Sequence, residues 1–292
     1  MSDIVDNIKT LIGKEEYLFL INDTCKELEV HCNNLNLVKD KTFKRYSFDK
    51  FLLIVLPNKS LIYKDFLPDE YVVKYRPALD DYKSVLKEKV IDTYDLLRNY
   101  ENTYYKTDTH INIKGAYLVY KYFIHKLNEI FNLNMQSKEI SLNKKVCELS
   151  SLHLGVGDLL WESNLGNQNV NDKVDTFYFS DEIQPFCYKH FIANNDEIRI
   201  LDKQLNDKTT EFEGNVVSWN IISDFIFYKK NDINGNNLKV LIFYDSFLLS
   251  TISLYLHLFE EVYMSKSMYD NEIINNVKPD YVFEFRSERF LF

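Results

Sequence analysis

A chain of 292 residues with 46% hydrophobic and 27% charged side chains is long enough to bury a real core and too ordinary in composition for a disordered chain or a fibre. Its 35 Lys and Arg against 44 Asp and Glu leave a formal charge of -9 with no long basic run, which disfavours nucleic acid or an anionic membrane as partner. Seven glycines leave little material for phosphate cradles: Gly155 and Gly157 are followed by Leu160 where a dinucleotide fingerprint needs a third glycine, and no P-loop occurs.

The N-terminal segment carries Asp3 and Asp6 where a secretory leader has positive charge, and no apolar h-region follows. As written, the sequence predicts a cytoplasmic protein; a periplasmic or exported one requires a leader that is not in it. Cys25, Cys32, Cys147 and Cys187 have neither metal-knuckle nor redox spacing and read as small buried hydrophobes. The run FLLIVLP, Phe51 to Pro57, predicts a buried parallel strand. From Tyr71 to Tyr100 apolar residues recur at helical intervals, with a strand expected around Val90. Gly115 to Phe131 predicts an amphipathic helix with Leu118, Tyr122, Ile124, His125, Leu127 and Ile130 on its apolar face.

Between about residues 133 and 238 the chain turns polar and Asn-rich, which reads as an irregular insertion within a single domain spanning 1–292. Val240 to Phe243 then predicts a second buried strand. The uncharged stretch Ser246 to Phe259, 14 residues long, predicts a core helix too short to span a membrane. DYVFEF is a third strand. Strands and helices alternating in this way predict an α/β fold with a mainly parallel sheet and helices on both faces.

Ligands of open α/β sheets bind beyond the carboxyl ends of the strands, which directs attention to Asp245 and Ser246. A serine on a tight strand-to-helix turn exposes its hydroxyl and suits acyl transfer. The plainer alternative is that Asp245 or Ser246 caps the following helix. A nucleophilic serine needs a base, and the base needs an acid to hold its tautomer. In YYKTDTHINIKGAY, Asp108 precedes His110 by two residues, so an extended segment can turn both side chains one way. A helix start capped by Thr109 or Asn112, and a metal pair, are the competing readings. His125 and His257 fall in apolar helices that suit a core role, and His31, His153 and His190 have no acidic partner at useful spacing.

Five segments taken together resemble the SGNH-hydrolase-like domain of the alginate O-acetyltransferase family, the AlgJ and AlgX group. They are GKEEYLFLIND from Gly13, VLPNKSLIYKDFLPDE from Val55, YKTDTHINIKGA from Tyr105, YDSFLLS from Tyr244 and PDYVFEFRSERFL from Pro279, and they occur in the family's order. Ordinary SGNH hydrolases place the nucleophile early, whereas this group has D-x-H first; here His110 precedes Ser246 by 136 residues. The resemblance implies an SGNH-hydrolase-like three-layer fold with permuted motif order, Ser246 as nucleophile, His110 as base and Asp108 as the orienting acid. The sequence departs from the family with Tyr244 in place of glycine before Asp-Ser, and with Ile111 in place of an aromatic after D-x-H.

For an oxyanion hole the sequence nominates the Ser246 N–H, with Gly155 to Asp158, Gly157 among them, as a neighbouring loop; Tyr244 and Asp245 flank the nucleophile. Lys59, Tyr63, Arg286 and Arg289 sit at family-like positions, Lys59 as a loop-fixing charge and Arg289 as a substrate contact, each with a structural ion pair as the alternative. The implied function is a saccharide or polysaccharide O-acetyltransferase with an acetyl-serine intermediate. It binds no resident cofactor and draws on acetyl-CoA or another acetyl carrier, with a glycan-assembly protein as a further partner. A carbohydrate acetyl esterase, and a noncatalytic carbohydrate-binding or assembly module, are the alternatives.

Overall fold

Residues 51–56 carry no polar side chain and are almost completely buried, as a strand covered on both faces must be. In the computed structural model they form the second strand of an eight-stranded sheet. The structure describes residues 9–38, 43–137, 139–148, 158–161, 173–178, 197–201, 209–210, 225–229, 237–256 and 258–291.

In chain order, strands β1 (Thr10–Ile12) and β2 (Leu18–Leu20) pair antiparallel and are followed by α1 (Glu27–Asn33). Then come β3 (Phe51–Leu56), α2 (Lys59–Ile62), α3 (Pro77–Leu86), β4 (Val90–Asp92), α4 (Tyr94–Arg98) and the long α5 (Ile113–Phe131). The middle of the chain contributes β5 (Asn143–Glu148), α6 (Asp158–Trp161), β6 (Lys173–Tyr178), β7 (Glu197–Leu201), β8 (Thr209–Thr210) and β9 (Phe225–Lys229). The last part supplies β10 (Lys239–Tyr244), α7 (Ile252–Leu256), β11 (Glu261–Ser265), α8 (Asn271–Val277) and β12 (Tyr281–Ser287). The large sheet has the order β4-β3-β12-β10-β11-β9-β7-β8. Its first five strands are parallel and the last three antiparallel.

Strand alternation divides the core in two. Leu52, Ile54 and Leu56 of β3, Val240, Ile242 and Tyr244 of β10, and Phe283 and Phe285 of β12 face α5 and α7. Phe51, Leu53 and Val55, Leu241 and Phe243, and Val282 face α3 and α8 on the other side. Helices therefore flank both faces, as the alternation of elements implied. Among the described residues no helix is long and apolar enough to cross a membrane.

Two expectations need correcting. The stretch 133–238, read as irregular, contains five strands among its described residues, and β7, β8 and β9 extend the main sheet. Its segments are short and separated by Asn-rich sequence, so no long periodic run announced them. The buried face of α5 is also rotated from the expected one. Ala116, Val119, Tyr120, Phe123, Ile124 and Leu127 are buried, whereas Leu118, Tyr122 and Ile130 are only partly covered and His125 is exposed, 3.9 Å from Glu129. A helix apolar around most of its circumference does not reveal which face a sheet will cover. His257 lies outside the described residues.

Phe123 is fully buried, with ring contacts at 5.9, 5.0 and 5.2 Å to Tyr255, Phe283 and Phe285. Phe123→Ala is expected to lower stability by about 3–5 kcal/mol, read from the denaturant midpoint at unchanged slope.

Candidate active site

Three adjacent parallel strands, β3, β12 and β10, end side by side and bring chemistry-bearing residues together beyond their carboxyl ends. Asn58 and Lys59 follow β3, Glu288 and Arg289 follow β12, and Asp245 and Ser246 follow β10. The D-x-H segment comes to the same place from the loop preceding α5.

That loop is tied down by the cap of its helix. Asn112 accepts from Gly115 N at 3.0 Å, satisfying an otherwise unpaired first-turn amide, and its Nδ2 donates back to Asn102 O and Tyr104 O at 2.8 and 3.3 Å. Gly115 permits the approach, since a Cβ there would stand 2.3 Å from Thr103 O. Asn112 is thus the cap that the sequence suggested, and the cap leaves His110 free for other bonds.

His110 Nδ1 lies 2.7 Å from Asp108 Oδ1, and Nε2 lies 2.8 Å from Ser246 Oγ. An ionised carboxylate only accepts, so Nδ1 carries the proton and Nε2 accepts from the serine hydroxyl. Asp108 Oδ1 also accepts from His110 N at 2.8 Å, and Oδ2 from Asp158 N at 3.2 Å. Burial pushes the Asp108 carboxyl upward, but its bonds from His110 outweigh this and hold it below the ordinary carboxylate range. Burial likewise disfavours the imidazolium, yet the bond and charge of Asp108 raise His110 above its usual 6.5.

Ser246 opens a 3-10 turn, Ser246–Thr251, whose N-cap is Asp245. Asp245 Oδ1 accepts from Phe247 N at 3.0 Å and Oδ2 from Ser287 N at 2.6 Å. The cap and the serine–histidine contact therefore coexist: Asp245 supplies the cap, which leaves the Ser246 hydroxyl to His110. Nominated at the oxyanion or substrate position, Asp245 is instead buried and committed to backbone amides. Tyr244 is likewise corrected, its side chain being wholly buried in the core. The backbone from Tyr244 to Ser246 has no positive φ, so the turn makes no demand for the family's glycine. Ile111 is also a core residue.

Lys59 and Arg289 lie behind the loop rather than in front of the serine. Lys59 Nζ donates to Lys106 O at 2.6 Å and Asp108 O at 3.0 Å. Burial pushes this ammonium down to about 7, against the charges of Asp108, Asp158 and Glu27. Arg289 is buried, donating from Nη2 to Thr109 Oγ1 at 3.2 Å, with Nη1 3.5 Å from Glu27 Oε2 and the guanidinium 5.2 Å from the centre of the Phe247 ring. Both side chains are covered and engaged by protein groups, Arg289 keeping one buried Nε without a hydrogen-bond partner, so neither presents an exposed face to a substrate. Tyr63 accepts from Thr103 N at 2.9 Å. Arg286 turns to the opposite face of the sheet and donates to Glu284 at 3.0 Å. His31 is buried, with Nδ1 2.8 Å from Tyr75 O and Nε2 2.9 Å from Asn58 Nδ2, so both ring nitrogens are spent on structural contacts. Gly155, Gly157, His153 and His190 lie outside the described residues.

Asp158 comes from the segment that the sequence nominated only as a loop neighbouring the oxyanion hole; no spacing marked its carboxylate as a partner of the D-x-H segment. Its Oδ1 accepts from Thr109 N at 2.7 Å and its Oδ2 from Thr109 Oγ1 at 2.5 Å. Burial and the charge of Asp108 raise its carboxyl above the ordinary range. Donor atoms of Asp108, His110 and Asp158 lie within 4.8 Å of one another, a spacing that a metal ion could bridge. Both nitrogens of His110 are already engaged by Asp108 and Ser246, and both oxygens of Asp158 by Thr109, so a proton relay accounts for the set.

Residues 26–169 match the family described as an SGNH hydrolase-like domain, acetyltransferase AlgX. This bears out the resemblance read from the sequence; the matched segment holds Asp108, His110 and Asp158 and stops before Ser246. No curated protein matches the sequence. Among solved structures the fold is similar to that of Bacillus cereus PatB1 with a sulfonyl adduct, at TM-score 0.62 and 16% identity, covering 97% of this chain and 96% of that one. It is similar to a DHHW family protein from Eubacterium siraeum at TM-score 0.59 and 16% identity, covering 97% and 92%. The O-acetyltransferase domain of Pseudomonas putida AlgJ gives TM-score 0.53 and 13% identity, covering 97% and 91%.

The placement of Lys59 yields a local expectation. Lys59→Met removes the donor to two loop carbonyls, that of Asp108 buried, so amide hydrogen exchange across Lys106–His110 should accelerate roughly 10-fold, the equivalent of about 1.4 kcal/mol, with exchange in β3 and β10 unchanged.

Proposed function

From the resemblance to the SGNH-hydrolase-like O-acetyltransferase group, we propose that this protein is a saccharide O-acetyltransferase that works through an acetyl-Ser246 intermediate. The observation that carries the reading is the unbroken relay Asp108–His110–Ser246 at 2.7 and 2.8 Å, at the carboxyl ends of the parallel strands. The order of D-x-H and serine along the chain supports the transferase group over ordinary SGNH hydrolases.

In the first half-reaction His110 Nε2 takes the hydroxyl proton as Ser246 Oγ attacks the acetyl carbonyl of the donor. Asp108 steadies the resulting imidazolium and does not itself take the proton. The tetrahedral oxyanion needs donors pre-aimed at it. Phe247 N and Leu248 N are bonded to Asp245, which leaves the Ser246 N–H as the first candidate in this turn. His110 then returns its proton to the departing group, leaving acetyl-Ser246. In the second half-reaction a sugar hydroxyl gives its proton to His110 and attacks the acetyl-serine carbonyl. The C–Oγ bond breaks, the proton passes back to Ser246, and the acetylated sugar leaves. The donor is acetyl-CoA or another activated acetyl carrier, which enters and leaves as a substrate.

Intact-protein mass spectrometry after brief exposure to an activated acetyl ester, and separately to acetyl-CoA, tests the reading. One acetyl adduct on Ser246 is expected, absent in Ser246→Ala and formed roughly 100- to 10,000-fold more slowly in His110→Ala. Chase with oligosaccharide should move the acetyl group to a sugar hydroxyl; release only as free acetate would make the protein an esterase. If wild type forms neither adduct nor acetate from any donor, the acyl-transfer reading is wrong.

The pH dependence follows from the neutral imidazole being the base. Because Asp108 raises His110 above 6.5, the acylation rate should fall as pH drops through that raised value. Asp108→Asn should move this acid limb downward and slow acylation by roughly 10,000-fold, measured as the pH profile of the first turnover.

A further inference from the structure

We propose that Asp158 is a positioning residue of this site, a second carboxylate supplied by the 133–238 stretch that locks Thr109 and thereby sets His110 between Asp108 and Ser246. The inference deepens the acyl-transfer reading and rests on it for its kinetic consequence.

The geometry is a reciprocal clamp. Asp158 accepts both polar hydrogens of Thr109, from the amide at 2.7 Å and from the hydroxyl at 2.5 Å. Thr109 Oγ1 also receives Arg289 Nη2 at 3.2 Å, and a guanidinium has no lone pair to offer, so the hydroxyl proton is directed to Asp158. In return, Asp158 N donates to Asp108 Oδ2 at 3.2 Å, adding a bond to the carboxylate that orients the imidazole. Each aspartate is thus held by a group from the other's segment.

The clamp is itself anchored. Thr10 of β1 donates to Leu159 O at 2.6 Å, and Leu159 is buried, which fixes the short helix α6 beside the D-x-H loop. Thr109 lies between the two triad members Asp108 and His110, so any rotation of its peptide moves both. A displacement of about 1 Å in such a constellation is enough for roughly 100-fold in rate.

Charge adds to position. Asp158 Oδ2 stands 3.5 Å from His110 Nδ1, too far for a good hydrogen bond and close enough to favour the imidazolium. The charged groups facing His110 are Asp108 from its own segment, Asp158 from α6 and, in opposition, Arg289 from the turn after β12. Lys59 from α2 lies behind the Asp108 carbonyl, and Ser246 faces Nε2 without charge. The Asp158 side chain is 38% exposed, so truncating it leaves no cavity in the core.

The test compares wild type with Asp158→Ala and Asp158→Asn by three readouts: acylation rate with an activated acetyl ester, the titration of the His110 ring followed by NMR, and the melting temperature. Expected are acylation slowed about 10- to 100-fold in Asp158→Ala and a His110 titration shifted to lower pH in both variants. Asn keeps the size and one acceptor but removes the charge, so it separates the two contributions. Acylation and His110 titration within twofold of wild type, with only the melting temperature lowered, would overturn the assignment and leave Asp158 a purely structural residue. A wild type that acylates from no donor, while both variants still shift the His110 titration, would overturn the acyl-transfer reading and retain the contact between Asp158 and the ring.

Discussion

A carboxylate buried to 1% side-chain exposure stays ionised only if hydrogen-bond donors surround it, and Asp108 imposes that requirement on everything nearby. Its donors include the ring and the amide of His110 and the amide of Asp158. The first of these orients the imidazole, the second fixes the extended backbone that lets residues two apart face one way, and the third brings in a segment from elsewhere in the chain. With the carboxylate satisfied, the imidazole has one tautomer and one direction, and its free nitrogen meets the serine.

Beneath this loop lies a layer of buried charge that never reaches the serine. Lys59 holds the carbonyls of Lys106 and Asp108, while Arg289 joins Thr109 to Glu27, whose Oε1 accepts from Ser60 at 2.6 Å. Asn58 accepts from Arg289 N and donates to His31. Arg76 bridges Glu288 and Asp92, holding the turn after β12 to the end of β4. Buried ions bring little net stability once desolvation is counted, but their directional bonds leave the loop a single arrangement. The sheet order makes this layer possible, because β3, β12 and β10 are neighbours and their following residues emerge together.

Much of the frame was legible from residue type alone. Continuous apolar runs at 51–56 and 240–243 and the segment DYVFEF became three buried parallel strands, since only a strand covered on both faces tolerates so many consecutive apolar residues. The D-x-H pair and the serine after a strand were legible because a short spacing and a strand end are local properties. The strands of the middle stretch were not. EIRIL and FIFYK are five residues each and set in polar sequence, and pairing at the end of a sheet decided their state. The face of α5 was missed for a related reason, as nothing in a broadly apolar helix says where its sheet will be.

The sequence by itself determined the α/β character and singled out Asp108, His110 and Ser246, in that order, because each is written in residues close together or at the end of a single apolar run. Only the tertiary structure decided what Lys59, Arg289, Tyr244 and Asp245 do. A buried cation behind a loop and a cation in front of a serine have the same letter, and their difference is one of direction. Asp158 is the clearest case: its bonds to Thr109 span 49 residues, so only the folding of distant segments together gives that carboxylate its place.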